Sequence, residues 1–212
     1  MHRHHKDLRW AGKPLAEASK AMMFIHGRGA TAESILKLGD HLAVENFALV
    51  APQAHSYTWY PNSFIAPREA NEPGLSTALE LIQEIVQDLE AAGISKRDIY
   101  FAGFSQGACL TSEFLAQHAE GFGGAFLFSG GVIGPELRED LYQGNFEGMP
   151  VFLGCSDVDA HIPLHRVKDT TRILTGLGAE VTEKIYPGAP HTILRDELVV
   201  ANQLLVARKA AV

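Results

Sequence analysis

One pentapeptide constrains the fold of this chain more than any other feature: Gly103-Phe104-Ser105-Gln106-Gly107. It follows the apolar residues 99–102 and leads into a helix-like run over residues 108–115. G-x-S-x-G between a strand and a helix is the pattern of a nucleophile elbow, in which a serine stands on a sharp turn above a sheet. Because that turn is strained and crowded, glycine is needed two residues before and two residues after the serine. The pattern therefore predicts an α/β fold with Ser105 presented as a nucleophile.

Apolar runs alternate with helix-period runs along almost the whole chain. The predicted strands are short and apolar on consecutive residues, namely residues 21–26, 48–51, 99–104, 125–129, 151–154 and 181–186. The predicted helices are residues 31–44, 75–92, 106–118, 163–177 and 196–208. This alternation predicts a mostly parallel central sheet with helices on both faces. We expect residues 1–212 to form a single domain, with residues 1–8 as a mobile polar tail.

Charge and composition argue against several classes of protein. The formal net charge is −7, and no dense Lys/Arg cluster indicates a surface for nucleic acid or anionic membranes. No apolar run is long enough to span a bilayer, so we expect no stable membrane insertion. The polar N-terminus lacks the apolar region of a secretory signal, and we expect a cytoplasmic protein. Its histidines at positions 2, 4 and 5 fit a mobile tail better than the alternative, an adventitious metal site.

The two cysteines add no metal motif. Cys109 and Cys155 have no metal-ligand spacing, and we expect both to pack as small apolar groups in a reducing compartment. We therefore expect no metal site in the chain.

A serine nucleophile needs a histidine base and a carboxylate that orients the histidine. In this type of fold the chain order is Ser, then Asp or Glu, then His. His191 follows the last predicted strand, just after a glycine-containing turn, whereas His161 and His165 come too early in that order. The carboxylate is expected after the strand at 151–154, where the local sequence offers two aspartates at positions 157 and 159 and does not separate them.

The oxyanion formed by attack on a carbonyl needs two backbone N–H groups. One is expected from Gln106, directly after the serine at the start of a helix. The other is expected from Arg28, in the glycine-flanked loop at residues 25–30. For the Arg28 side chain, contact with substrate and exposure to solvent both stay open.

Two segments interrupt the alternation, residues 52–73 with four prolines and several aromatics and residues 130–150 with five glycines. Both follow strand ends, where ligands of open α/β sheets bind, and we expect them to form walls of a cleft. The alternative is that they are ordinary surface loops. Trp59, Tyr60 and Phe64 are candidates for an apolar substrate-binding wall, and packing beneath the loop is the alternative for them.

With these motifs in place, the chain resembles the phospholipase/carboxylesterase (acyl-protein thioesterase-like) branch of the α/β-hydrolases over nearly its whole length. The resemblance rests on His26-Gly27, the G-F-S-Q-G elbow, an Asp-Pro-x-Val-Pro-like segment and a late Gly-x-x-His. Within it, Ser105 matches the nucleophile and His191 the base. Asp159 matches the triad acid, because Pro163 follows it by four residues as in the family pattern. Ala160 departs from the proline that many members have at that position.

The resemblance implies an α/β-hydrolase fold without a large cap domain and an enzyme that needs no metal or cofactor. It also implies that a homodimer is one possible assembly. We therefore predict a serine hydrolase that cleaves small-molecule carboxylic esters with small to medium acyl or aromatic groups, through an acyl-enzyme intermediate. One alternative is a thioesterase acting on acyl thioesters or acylated protein cysteines. Another is a non-catalytic binding module on the same fold.

Overall fold

The computed structural model describes residues 3–210 of the chain. Within these residues, seven strands form one sheet in the order β1-β3-β2-β4-β5-β6-β7. The strands are β1 (Leu8–Gly12), β2 (Lys20–Ile25), β3 (Phe47–Pro52), β4 (Ile99–Phe104), β5 (Gly124–Phe128), β6 (Pro150–Ser156) and β7 (Glu180–Tyr186). β1 is antiparallel to β3, and the other neighbouring pairs are parallel. The predicted mostly parallel sheet is confirmed.

Helices cover both faces of this sheet. They are α1 (Ala32–Leu36), α2 (Gly74–Ala91), α3 (Gln106–Gln117), α4 (Leu164–Gly176) and α5 (Arg195–Ala210). Helices α2, α3 and α4 share one apolar core with one face of the sheet, and α1 and α5 share a second core with the other face. No large cap domain lies over the sheet among residues 3–210, and the α/β-hydrolase architecture that was predicted is therefore confirmed.

The predicted elements differ from the observed ones mainly at their ends. The clearest difference is the helix expected over residues 31–44, which is α-helical only as far as Leu36 and continues as the 3₁₀ segment Lys37–His41. Glycine is a poor residue for a helix interior, and Gly39 serves a packing purpose instead. A Cβ at Gly39 would lie 2.7 Å from Leu49 Cδ1, so a larger residue at this position would require the Leu49 side chain to shift.

The expectation of a mobile tail over residues 1–8 is wrong where the structure describes it. Leu8 begins β1, and His4 is 8% exposed, with its Nε2 atom 2.8 Å from the Trp59 carbonyl oxygen. The strand β1 was missed because it lies at the edge of the sheet and is largely exposed, so its sequence shows no buried run. Residues 1 and 2 lie outside the described part of the chain.

The parallel strands place several loops at one rim of the sheet. The carboxyl ends of β2, β4, β6 and β7 lead into residues 26–30, 105–107, 157–163 and 187–194, respectively. Ligands of open α/β sheets bind at this rim. No helix among residues 3–210 is long and apolar enough to cross a membrane.

Candidate active site

Ser105 lies on a one-residue turn between β4 and α3. Its backbone has φ 55° and ψ −120°, a strained conformation for a residue with a side chain. A Cβ at Gly103 would lie 2.7 Å from the Gly107 carbonyl oxygen, and a Cβ at Gly107 would lie 2.1 Å from the Ile25 carbonyl oxygen. Gly103 therefore allows the start of α3 to lie close to the end of β4, and Gly107 allows α3 to lie close to the end of β2. Both glycines of the pentapeptide are therefore required by backbone contacts.

A hydrogen-bonded chain of three side chains joins loops from three strands. His191 Nε2 lies 2.8 Å from Ser105 Oγ, and His191 Nδ1 lies 2.6 Å from Asp159 Oδ2. His191 follows β7 and Asp159 follows β6, so the chain order is the one expected from the sequence. Of the two rival histidines, His161 packs its ring against His191 at 4.9 Å between centroids, but the bond to the serine is made by His191.

The Asp159 carboxylate is held from both sides. Its Oδ1 atom accepts the backbone N–H groups of His161 at 2.8 Å and Ile162 at 3.0 Å. Burial by itself would raise the pKa of Asp159, but the hydrogen bonds from His191 and from the two N–H groups outweigh it, and the pKa lies below its usual value. The group is therefore a carboxylate at neutral pH, with its negative charge directed at the imidazole.

Asp157, the other aspartate offered by the sequence, occupies a different position. Its Oδ1 atom accepts the backbone N–H of Gly188 at 2.8 Å. It therefore ties the loop after β6 to the loop that carries His191, and it makes no bond to the imidazole. The structure thus brings Asp159 and not Asp157 to His191, which the local sequence alone left undecided.

Gln106 and Arg28 both line the cavity that contains Ser105. Within residues 3–210, neither backbone N–H donates to another protein group. The first turn of a helix leaves its N–H groups unpaired, and the helix dipole favours negative charge there, which describes Gln106 at the start of α3. The two N–H groups predicted to hold the oxyanion are therefore free to do so.

The side chains of these same two residues hold the loop at residues 58–62. The Arg28 guanidinium donates to the carbonyl oxygens of Tyr60 at 3.0 Å, Pro61 at 2.9 Å and Asn62 at 2.7 Å. Gln106 Nε2 donates to the same Tyr60 oxygen at 2.9 Å, and Gln106 Oε1 accepts the Trp59 N–H at 2.9 Å. The Arg28 side chain therefore clamps backbone carbonyls, a role that the sequence did not indicate, while it is also exposed and lines the cavity, so both alternatives stay open.

Of the three aromatic residues proposed as a substrate wall, two line the cavity and one does not. Tyr60 and Phe64 are lining residues. Trp59 is fully buried behind them, where its Nε1 donates to the His26 carbonyl oxygen at 2.8 Å and its ring packs 5.0 Å from the His26 ring. A buried indole N–H needs a partner, and here that partner is the oxyanion loop. Trp59 is therefore a packing residue, and its proposed substrate contact is wrong.

His26 supports the same loop from within. Burial lowers the pKa of His26, so the ring is neutral at neutral pH. Its Nε2 accepts the Ala54 N–H at 3.1 Å, which leaves Nδ1–H to donate to the Gly27 carbonyl oxygen at 2.8 Å. These bonds fix the backbone of the loop beside Arg28.

The cavity has a volume of about 360 Å³ and a lining that the sequence reveals only in part. Residues 130–150 contribute nothing to it, so the expectation that they form a cleft wall is wrong. Arg166 instead holds the start of this segment, donating to the carbonyl oxygens of Val132 and Gly134. Cys109, Ile162, Phe104 and His161 do line the cavity. Their positions next to the elbow and the acid were the only sequence signal for them.

The chain has clear similarity to known hydrolases. The sequence profile of the Phospholipase/Carboxylesterase family matches residues 12–207. A phospholipase/carboxylesterase crystal structure from Dyadobacter fermentans is 44% identical, with a TM-score of 0.96 over 97% of this chain and 99% of that one. Among curated proteins, the Probable carboxylesterase SOBER1-like of Arabidopsis thaliana is 24% identical over 77% of this chain. Acyl-protein thioesterase 1 of Kluyveromyces lactis is 28% identical over 62% of this chain. These two alignments span 62% and 59% of those proteins, less than two thirds of their length.

Proposed function

The chain belongs to the phospholipase/carboxylesterase family, and from that premise we propose that it hydrolyses carboxylic esters through Ser105, with His191 as general base and Asp159 as the orienting carboxylate. The observation that carries the proposal is the continuous hydrogen-bonded chain from Ser105 Oγ through the imidazole to Asp159. Serine is a weak nucleophile at neutral pH, and an adjacent, correctly oriented imidazole is what activates it.

In the first half of the reaction, His191 Nε2 takes the proton from Ser105 Oγ as the oxygen attacks the acyl carbonyl. The imidazole becomes charged, and the Asp159 carboxylate stabilises that charge while it keeps the other proton on Nδ1. His191 then gives the proton to the leaving alkoxide, and an acyl-Ser105 ester remains. In the second half, His191 takes a proton from water as the water oxygen attacks the acyl carbon, the bond between that carbon and Ser105 Oγ breaks, the carboxylic acid leaves, and His191 returns the proton to Ser105 Oγ.

Negative charge develops on the carbonyl oxygen in both halves. In our proposal the backbone N–H groups of Gln106 and Arg28 stabilise that charge, because both are unpaired and both residues line the cavity with Ser105. The clamps formed by the two side chains hold these N–H groups in place before the substrate arrives. Such prearranged donors need no reorganisation during the reaction, which is the main source of their effect on the rate.

The test is hydrolysis of p-nitrophenyl butanoate by the wild-type protein and by Ser105→Ala. We expect kcat to fall on the order of 10⁶-fold, because the three side chains act as a unit. Ser95→Ala is the matched control, since Ser95 lies before β4, away from the cavity. A fluorophosphonate should modify Ser105 alone. Equal rates for wild type and Ser105→Ala, or an adduct on a different residue, would reject the proposal.

Thioester hydrolysis is the second candidate, and the similarity to Acyl-protein thioesterase 1 favours its inclusion. Esters and thioesters pass through similar oxyanionic intermediates, so one catalytic arrangement serves both. The two are separated by kcat/KM for an oxygen ester and a thiol ester of the same acyl chain, each divided by its rate with hydroxide. A thiol ester that is favoured after this correction would make the thioester the preferred substrate.

A further inference from the structure

Within residues 3–210, two aromatic rings pack against the imidazole of His191. The Phe104 ring lies 5.0 Å from it between centroids, at an interplanar angle of 32°. The His161 ring lies 4.9 Å away, at an angle of 61°, which makes this an edge contact. Aromatic pairs at such distances stabilise each other beyond the effect of the apolar area that they bury. The imidazole is therefore held by ring contacts as well as by its hydrogen bonds to Ser105 and Asp159.

His161 contacts two of the three triad residues. Its backbone N–H donates to Asp159 Oδ1 at 2.8 Å, and its ring packs against His191. The bond to Asp159 belongs to the backbone, so it is kept by every residue at this position except proline. The contact with His191 belongs to the side chain, which is exposed and lines the cavity. A substitution of His161 therefore removes the ring contact and leaves the bond to Asp159 intact.

One of the two hydrogen bonds of the imidazole is lost during the reaction. In the free protein, His191 Nε2 accepts from Ser105 Oγ, and Nδ1 donates to Asp159. Once Ser105 carries the acyl group, its oxygen is part of an ester and has no proton to donate. Of these two bonds, only the one to Asp159 then remains to orient the ring. The ring contacts therefore have their greatest weight at this stage, when Nε2 must point at the attacking water.

We propose that His161 is a positioning residue for the second half of the reaction, in which its ring keeps the His191 imidazole directed at the water that attacks the acyl-enzyme. The inference rests on the proposed ester hydrolysis and adds a residue to it. Phe104 makes the other ring contact, but it directly precedes Ser105 at the strained turn, where a substitution would also disturb the nucleophile. His161 is therefore the position at which a ring contact can be tested by itself.

The experiment measures the two halves of the reaction separately, with p-nitrophenyl butanoate as the substrate. Acylation is reported by kcat/KM, expressed per protein molecule that a fluorophosphonate labels. Acid quenching at saturating substrate, followed by mass spectrometry of the intact protein, gives the acylated fraction. The value of kcat divided by this fraction is the deacylation rate constant. Both quantities count active molecules only, so a variant that folds less completely does not imitate the expected effect.

The variants differ in whether they keep a ring at position 161. His161→Ala and His161→Gln remove the ring, and His161→Phe keeps a ring of similar size. His165→Ala is the matched control, because His165 is an exposed histidine outside the cavity lining. Comparison of these variants separates the effect of the ring from that of any substitution in this part of the chain.

We expect His161→Ala and His161→Gln to lower the deacylation rate constant about three- to tenfold, the range that one aromatic contact supplies. The ratio kcat/KM should fall less than about twofold, because Ser105 Oγ still orients the imidazole before acylation. The acylated fraction should therefore rise. His161→Phe should stay within about twofold of the wild type, and His165→Ala should change neither quantity.

Three results would overturn the inference. The first is a deacylation rate constant that stays within about twofold of the wild type in the variants without a ring. The second is a fall in kcat/KM as large as the fall in deacylation, which would indicate a lost substrate contact or a general disturbance. The third is a loss in His161→Phe as large as that in His161→Ala. Failure of the wild type to hydrolyse the ester would instead reject the proposed function.

Discussion

The two halves of the catalytic site are held in different ways. The nucleophile side comprises residues 26–30, 57–64 and 103–107, around the central strands β2 and β4. The base side comprises residues 157–163 and 187–194, after β6 and the edge strand β7. On the nucleophile side, the exposed Arg28 and buried Gln106 side chains bind several neighbouring carbonyl oxygens. On the base side, each loop is fixed by a few bonds to individual carboxylates.

The hydrogen bonds that hold the nucleophile side are redundant. The Tyr60 carbonyl oxygen accepts hydrogen bonds from Arg28, from Gln106 and from the Thr58 hydroxyl. The loss of one donor leaves the others in place. On the base side the bond of Asp159 to the imidazole and the bond of Asp157 to Gly188 have no duplicate among the described residues. We infer that the nucleophile side is held by several overlapping hydrogen bonds and the histidine by a small number of ionic groups.

Among the three predictions that compare the two sides, the largest effect is expected on the base side. Asp159→Asn should lower kcat about 10⁴-fold, because an amide in place of the carboxylate favours the wrong imidazole tautomer and no longer stabilises the charged ring. Steady-state hydrolysis of p-nitrophenyl butanoate measures it. Asp157→Asn keeps an oxygen acceptor for Gly188 and should lower kcat less than about tenfold, since single exposed bonds contribute little. Similar losses in the two variants would contradict the assignment of distinct roles.

The second prediction compares one glycine from each side. Gly107→Ala should reduce the free energy of unfolding by more than about 4 kcal/mol, because its Cβ would meet the Ile25 carbonyl oxygen at 2.1 Å. Gly188 has φ +67°, but a Cβ there would meet no atom within 4 Å, so Gly188→Ala should cost only about 1 to 2 kcal/mol of backbone strain.

Urea unfolding of both variants provides the measurement. Gly176→Ala is the control, since Gly176 has open space and no positive φ, and alanine favours the helix. Equal destabilisation by Gly107→Ala and Gly188→Ala would remove the contrast between a packed nucleophile side and an open base side.

The smallest of the three effects concerns pH. Glu197 is buried in the first turn of α5, where its Oε2 atom accepts the Leu194 N–H at 2.7 Å. Burial raises the pKa of Glu197 from 4.5 to about 7, with the nearby Asp196 adding to the increase against the effect of the Leu194 bond. Between these two values the folded protein holds a proton that the unfolded chain has released. The contribution of Glu197 to the free energy of unfolding is therefore fully present below pH 4.5. It is lost as the pH rises through 7, by about 3 kcal/mol in total.

Glu197→Gln keeps an acceptor for the Leu194 N–H but does not titrate. The stability difference between this variant and the wild type should shift in favour of the variant by about 3 kcal/mol between pH 4.5 and pH 8. Urea unfolding at the two pH values measures the shift. Glu84→Gln, at an exposed position of α2, should show no such shift. If the stability difference between Glu197→Gln and the wild type did not depend on pH, the titration of Glu197 would not contribute to the stability of this part of the base side.

Much of the fold could be predicted because its signals are local. The run at residues 99–104 matches β4 at both ends, and the helix that ends before Gly93 matches α2 within one residue at each end. Buried parallel strands are apolar on consecutive residues, so they are visible without knowledge of their neighbours. The edge strand β1 was missed for the opposite reason, since none of its five residues is buried and three are exposed, so its sequence contains no buried apolar run.

The details of the site depend on contacts between distant residues. The partners of Arg28 lie more than 30 positions away in the sequence, and nothing near Arg28 indicates that its side chain binds carbonyl oxygens. The sequence also does not distinguish Trp59 from its aromatic neighbour Tyr60. In the structure, the Trp59 indole N–H donates to the His26 carbonyl oxygen and its ring packs in the interior, whereas Tyr60 lines the cavity.

By itself, the sequence determined the strand–helix order, the elbow at Ser105 and the place of His191 after the last strand, because each follows from short stretches whose backbone geometry is set locally. The family resemblance pointed to Asp159, but the tertiary structure shows that this aspartate, and not Asp157, meets the imidazole, and it alone decided which aromatic rings line the cavity. Such contacts join residues that are far apart in the sequence: the hydrogen bond from His191 to Asp159 spans 32 positions, and that from His191 to Ser105 spans 86. Such distances exist only after the sheet has brought its loops to one rim.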